Sequence, residues 1–441
     1  MFRLAENGTT ITRELLAGVT TFAAMAYILV VNPDMLAITG MDRGALLTAT
    51  ALAAATGSIL MAVLTNYPVA LAPGMGLNAF FTFTICGQLE IPWQGALAMV
   101  FWTGILFLLL SLTKFREEVV RAIPEPLKIG IQAGIGLFII VIGLKNLGIF
   151  ANPAPSFFAL RLESLSEVAM TPLILAVLGC VFAGILMRKH VPGALLIAIL
   201  AVTILGHFVA SNGTPITPIP SGLLSLPPSP APLLFEADWL FPFRHWGVSW
   251  IPLLTLFFVD LFDSVGTLIG VSRRAGLVDK DGNLPRMPRA LAADASATAL
   301  GACFGSSTTT AYIESATGVE AGGRTGLTAI ATASCFLLAL FFYPVISIVP
   351  PAAVAPALLI VGALMLKSLR DLSFREWQGV IGAVTIVLLI PLNFQIAEGI
   401  AVGCIVYTIL MLFSGRWREI HWLLGTLSVL FTIKLIADLA G

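Results

Sequence analysis

The chain has 441 residues, 58% hydrophobic and only 11% charged, with zero formal net charge and a mean hydropathy of +0.97. A soluble domain carries about 45–50% apolar and about 25% charged residues, so charges this sparse cannot cover a soluble surface. A soluble enzyme, a nucleic-acid-binding protein and a disordered chain are therefore poor readings. One membrane span takes ~20 apolar residues, so fourteen use about 280 and leave short loops with no sizeable soluble domain.

In chain order the apolar spans read as 14–34, 44–65, 69–89, 94–113, 127–147, 172–188, 192–210, 248–272, 289–306, 308–323, 325–345, 351–367, 375–392 and 394–414. The first apolar run, Leu15 to Val31, is too long for a signal-peptide core. Spans seven and eight are separated by Ser211 to Gly247, where Pro215, Pro218, Pro220, Pro227, Pro228, Pro230 and Pro232 forbid a single helix. This segment reads as an external linker between two halves. After the last span, Leu423 to Ile436 is apolar but short and interrupted by Lys434. It reads as an interfacial or peripherally packed helix rather than a fifteenth span.

Lys/Arg placement supports the count, because short cytoplasmic loops collect the excess. With the N-terminus inside, 19 basic residues fall on the inner side, from Arg3 to Arg418. Only Arg43, Lys145, Arg161 and Arg244 fall outside. Both termini are thus expected in the cytoplasm, and the chain in the inner or plasma membrane. The five cysteines (86, 180, 303, 335, 404) form no Cys-x-x-Cys, and the four histidines (190, 207, 245, 421) have no ligand spacing. Neither a disulfide framework nor a metal site is expected.

The halves resemble distant copies. Span 5 opens at Pro124 and Pro126 and closes with Leu144-Lys145-Asn146-Leu147; span 12 opens at Pro350-Pro351 and closes with Leu366-Lys367-Ser368-Leu369. Spans 2 and 9 both run from an arginine, Arg43 or Arg289, through small residues to Gly57 or Gly301. Seven spans per half would set the copies in opposite orientations, the inverted repeat of secondary transporters, whose sites lie at the bilayer midplane.

Spans 3 and 10 are irregular. Pro73, Gly74 and Gly76 interrupt span 3 ahead of Asn78, and span 10 opens with the β-type run Ser306-Ser-Thr-Thr-Thr310. Each reads as a short extended piece followed by a half-helix. Irregular backbone at membrane depth needs protein burial or a wet cavity. The half-helix N-termini would then bring N–H groups and partial positive charge to the membrane centre. The competing reading is a packed helix merely kinked by Pro73 and its glycines.

Span 8 carries Asp260 and, one turn on, Asp263. Asp260 lies about 18 Å into the span at 1.5 Å per residue. An ionised Asp at that depth costs ~2.5–3.5 kcal/mol, so such acids usually face a cavity and mark a substrate or proton route. Burial favours the neutral acid, which suits a group that loads and releases a proton. A structural hydrogen bond is the alternative for each. Glu314, just before the span-10 half-helix, can accept two parallel N–H bonds from a flat heterocycle, or can cap that helix. Asn78 can meet a carbonyl or ring nitrogen, or cap its own helix. Tyr27 on span 1 can stack on an aromatic ligand, although a lone Tyr on an apolar helix is more often core. Asp294, Glu320 and Glu398 lie nearer span ends and read as structural or interfacial.

Three segments in order carry a resemblance: Ala-Pro-Gly-Met-Gly-Leu-Asn-Ala (72–79), Val-Asp-Leu-Phe-Asp-Ser-Val-Gly-Thr (259–267) and Tyr-Ile-Glu-Ser-Ala-Thr-Gly-Val-Glu-Ala-Gly-Gly-Arg-Thr-Gly (312–326). The chain resembles the purine permeases of the nucleobase–cation symporter 2 superfamily, in the AzgA-like hypoxanthine/guanine/adenine branch. The resemblance implies the uracil-permease-like fold, an all-α polytopic membrane protein with 7+7 inverted repeats. It implies a core domain of spans 1–4 (14–113) and 8–11 (248–345), and a gate domain of spans 5–7 (114–210) and 12–14 (346–415). The linker 211–247 and the tail 416–441 complete the division. It also implies elevator-type purine import by proton symport, a gate-mediated homodimer, and no cofactor beyond the coupling proton. Glu314, Asp260, Asn78, Ser315 and Tyr27 are the implied substrate-binding set, and Asp260 with Asp263 the proton-coupling set. Asp260 stands where the uracil and xanthine branches have Glu, and Ser264 lies where the uracil branch has His. Both argue against uracil or xanthine. A small-anion carrier of this fold would want cationic or neutral residues at the half-helix ends. An intramembrane enzyme would need a metal set or an activated nucleophile, for which the residues give no pattern.

Overall fold

The computed structural model describes residues 2–113, 122–147, 170–211, 214–279, 284–393 and 395–440. The expected cytoplasmic Lys114, Arg116, Arg121 and Lys280, the external Arg161, and Phe394 at the start of span 14 lie outside the described residues. Span 1 is two helices, α1 (Ile11–Met25) and α2 (Ile28–Leu36), instead of one. It begins three residues earlier than its hydropathy because Thr10 accepts the Arg13 N–H at 3.3 Å and caps it. The break falls at Ala26–Tyr27, not at Pro33, which sits inside α2. There the Leu29 and Val30 N–H groups bond to Ala26 O and Tyr27 O, each at 3.1 Å, the tighter i−3 pattern.

Next come α3 (Arg43–Thr65), a short strand β1 (Leu71–Pro73), α4 (Met75–Ala79) and α5 (Trp93–Ser111). Between α4 and α5 the half-helix continues as π-helical turns over Phe80–Gln88. Then follow α6 (Glu125–Asn146), α7 (Met170–Arg188), α8 (Ala194–Phe208), α9 (Trp246–Arg274) and α10 (Met287–Phe304). A second strand, β2 (Thr309–Ala311), precedes the short α11 (Ser315–Glu320) and then α12 (Gly326–Ala339). The chain closes with α13 (Pro351–Met365), α14 (Trp377–Asn393), α15 (Ile396–Phe413) and α16 (Trp422–Ala440). Among the described residues, nine helical stretches are long and apolar enough to cross a membrane.

The chain divides into two compact units, Met1–Leu112 with Gly143–Ile360, and Thr113–Ile142 with Val361–Gly441. In the first, α10 packs on α3 and α5, α12 on α1 and α3, and α1 on α11. Small residues set these distances. A Cβ on Gly18 of α1 would lie 2.4 Å from Ala331 Cβ of α12, and one on Gly104 of α5 would lie 2.7 Å from Ala299 N of α10. Such close backbone approach suits lipid, where apolar burial alone does not drive helices together. A polar pin adds to it. Glu14, fully buried on α1, accepts from Arg324 N (2.9 Å), Thr325 N (3.2 Å), Thr325 Oγ1 (2.9 Å) and Thr328 Oγ1 (2.6 Å) at the start of α12.

The Pro-rich linker is partly a strap on this unit. Pro228 O accepts from Thr48 Oγ1 (2.8 Å), Phe235 N donates to Cys303 O (2.8 Å), and Trp239 O accepts from Trp102 Nε1 (2.8 Å). In the second unit, α14 packs on α15, and α16 folds back along α15. Ser428 Oγ lies 2.8 Å from Thr408 Oγ1 and donates to Cys404 O at 3.3 Å. Arg416 holds the turn between them, donating to Glu419 (2.8 Å) and Glu376 (3.4 Å). Its hydrogen bonds keep the Glu419 carboxyl below the usual carboxylate range.

Candidate substrate and coupling site

The site grows from β1 and β2, which cross antiparallel with Leu71 opposite Ala311, Ala72 opposite Thr310 and Pro73 opposite Thr309. The ribbon is extended by Gly74 N to Thr308 O (2.9 Å) and Tyr312 N to Ala70 O (3.1 Å). An isolated two-stranded ribbon leaves both outer edges unpaired, which is costly where water is excluded. Side chains close them. On α3, Ser58 Oγ bonds Leu71 N (2.9 Å) and Leu71 O (3.2 Å). On α10, Thr298 Oγ1 does the same to Thr309 N (3.3 Å) and Thr309 O (3.0 Å). The two arrangements are mates under one twofold operation, so the inverted repeat extends to single hydroxyl groups.

The acids gather on the second-half side. Asp260 of α9 is fully buried; its Oδ2 lies 3.2 Å from Thr298 Oγ1, sharing that hydroxyl's one hydrogen with Thr309 O, and its Oδ1 has no hydrogen-bond partner among the described residues. Asp294 of α10 is also fully buried and accepts from Ser264 Oγ (2.5 Å) and Ala311 N (3.0 Å). Ser264 in turn lies 2.8 Å from Thr310 Oγ1. Asp263 is half-buried, within electrostatic reach of Glu314. Beyond it, a Cβ on Gly266 would meet nothing within 4 Å, so this face of α9 borders open space.

Glu314 makes no capping bond to α11. Its Oε1 instead accepts from Tyr27 Oη at 2.8 Å, and the carboxylate stays half-buried. Tyr27, buried to 1% exposure, stands at the break between α1 and α2, which frees it from helical register to reach span 10. Among the described residues no Lys or Arg forms an ion pair with these four acids.

Asn78 and Ser315 are held by the protein. Asn78 lies within α4, fully buried, donating to Asn32 Oδ1 at 2.6 Å and accepting from Ser307 Oγ. Ser315 Oγ accepts from Ala70 N at 3.0 Å and so fastens α11 to the end of β1. Asp294, read as structural or interfacial near a span end, lies well inside α10 and holds β2 through Ala311 N, beside the other acids. A signal was available. Asp260 and Ser264, like Asp294 and Thr298, are polar pairs four apart on mainly apolar helices and therefore share a face. Asn32, fully buried beside Asn78, had no such partner in its own span.

Two crossed half-helical spans joined by a buried antiparallel ribbon, inside a bundle of apolar helices, define a membrane transporter of the inverted-repeat class. The pattern of the Permease family matches residues 12–400, and the chain belongs to that family. It is 42% identical over 446 residues to the guanine/hypoxanthine permease PbuG of Bacillus subtilis, covering 99% of this chain and 98% of that protein. It is 39% identical over 440 residues to the adenine permease AdeQ of Escherichia coli, covering 99% and 95%. Among solved structures, the transmembrane domain of the cyanobacterial bicarbonate transporter BicA superposes with a TM-score of 0.66, covering 89% of this chain and 97% of that one, at 17% identity. The fold is therefore the uracil-permease-like one, with fourteen spans as 7+7 inverted repeats. The protein is an integral multi-pass membrane permease and not an enzyme.

Proposed function

We propose that the protein imports purine nucleobases, namely hypoxanthine, guanine and adenine, by proton symport. Relatives bearing guanine/hypoxanthine and adenine names match it about equally, at 42% and 39% identity. The observation that carries the reading is Glu314. Tyr27 holds one of its oxygens, and the half-buried carboxylate still has acceptor capacity for an N–H edge of a flat base. Tyr27 thereby positions Glu314, while Asn78 and Ser315 complete the cradle by fixing the two half-helices. Asp260 and Asp263 carry the coupling proton. Four acids with no basic partner among the described residues cannot all be charged in a low-dielectric site, which suits them to load a proton. The same charge disfavours a small anion as cargo, despite the fold shared with a bicarbonate transporter.

In this reading spans 1–4 and 8–11 form a mobile core. Spans 5–7 and 12–14 form a gate through which two copies pair. The core slides along the gate with its base and proton. The protein sits in the inner or plasma membrane with both termini in the cytoplasm. Uptake of radiolabelled hypoxanthine by proteoliposomes, with and without an inward proton gradient, tests this, with unlabelled guanine, adenine, uracil, xanthine and bicarbonate as competitors. Glu314→Gln is expected to lower uptake at least tenfold, about the worth of one charge-assisted hydrogen bond. Parent-like uptake by that variant, or competition by uracil rather than purines, would overturn the assignment.

A further inference from the structure

A chain of hydrogen bonds behind the cradle runs in one direction only. Thr50 Oγ1 on α3 donates its single hydrogen to Leu46 O at 2.7 Å. Toward Asn32, 2.7 Å away, it can therefore act only as acceptor, so the Asn32 amide nitrogen must face Thr50. The second hydrogen of that nitrogen points to Ser306 Oγ at 3.5 Å. With its nitrogen so committed, Asn32 turns Oδ1 toward Asn78 and accepts from Asn78 Nδ2 at 2.6 Å. Asn78 then presents its own Oδ1 to Ser307 Oγ, which donates to it. Asn32, Thr50, Asn78, Ser306 and Ser307 are all fully buried, so water cannot substitute for any partner.

The chain joins span 2, the second helix of span 1, the half-helix of span 3 and the extended start of span 10. One backbone carbonyl, Leu46 O, fixes the orientation of two successive amides.

We propose that Asn32 and Thr50 are positioning residues that act through Asn78, fixing the span-3 half-helix against the span-10 strand and so setting the width of the base-binding cradle. Neither residue touches the base. The kinetic part of the test rests on purine transport, whereas the stability part does not.

Two conservative substitutions separate direction from bulk. Thr50→Val keeps the shape and removes the acceptor; Thr50→Ser keeps the acceptor. Uptake of radiolabelled hypoxanthine by proteoliposomes is expected to show Thr50→Val raising KM about threefold to tenfold, the worth of one net hydrogen bond. Its Vmax should stay within about twofold, and Thr50→Ser should match the parent. Asn32→Ala should raise KM at least as much as Thr50→Val. In parallel, thermal unfolding in detergent of Thr50→Val, Asn78→Ala and the double variant should be non-additive, because both single changes break one chain. Equal KM for Thr50→Val and Thr50→Ser would overturn the proposal, as would additive losses of stability. If the parent takes up no purine, the transport reading fails, and the unfolding cycle still decides the network.

Discussion

Replacing Asp294 tests whether the buried acid on α10 holds the crossing ribbon. Asp294→Ala removes the acceptor for the Ala311 N–H, which is buried to 2% exposure and has no alternative partner in the strand pairing. An orphaned buried donor costs about 1–3 kcal/mol. Ser264 loses a charge-assisted bond but can turn its hydroxyl to Thr310, 2.8 Å away, and recover a neutral one. That exchange costs about another 1–2 kcal/mol, so the variant should lose about 2–5 kcal/mol in total. Asp294→Asn behaves differently. Its amide oxygen still accepts from Ala311, and its NH2 donates to Ser264, whose hydrogen then points to Thr310. The expected cost is below about 1.5 kcal/mol, a single neutral hydrogen bond. At about 2–4 °C per kcal/mol, Asp294→Ala should melt roughly 4–20 °C below the parent and Asp294→Asn within about 6 °C. Tryptophan fluorescence of detergent-purified protein reads both. Equal melting of the two variants would refute the idea that Asp294 organises β2.

Three further outcomes are expected. Gly305 has φ +89°, and a Cβ there would lie 2.4 Å from Leu233 Cβ; Gly305→Ala should therefore lower the melting temperature, with about 1–2 kcal/mol of the loss coming from backbone strain, and adding Leu233→Ala should not rescue it, because alanine keeps the clashing Cβ. Tyr27→Phe removes the hydroxyl bonded to Glu314 and should raise KM for hypoxanthine about tenfold at near-constant Vmax in the uptake assay, a hydrogen bond to a charged group being worth about 1.5–3 kcal/mol. Glu14→Gln should remain foldable, whereas Glu14→Ala strands the buried donors at the start of α12 and should sharply reduce the yield of monodisperse protein on size-exclusion chromatography.

Most spans were legible because lipid demands long apolar runs, a signal contained in a single segment. The irregularity of spans 3 and 10 was legible for the same reason, since Pro73 and the Ser/Thr run are local. What stayed hidden depends on partners far along the chain. Glu14 stands at the first position of span 1, where nothing local marks it, and its four donors lie more than 300 residues away. Asp294 looked peripheral because depth along a helix says nothing about which neighbour crosses it. The break at Tyr27 carries no Pro or Gly, so nothing local announced it. The π-helical turns after α4 were equally silent, because an apolar run fits either winding.

The matched pair of Ser58 and Thr298 has a consequence for how the two copies diverged. Both supply one hydroxyl to one strand residue, yet only Thr298 also reaches a carboxylate. Asp260, Asp263, Asp294 and Glu314 all come from the later repeat, whereas the earlier one contributes neutral Asn78, Asn32 and Tyr27. Architectural symmetry has thus been kept while the carboxyl groups around the ribbon all come from one copy. One copy brings only neutral groups to the ribbon, and the other brings all of the carboxyl groups gathered there.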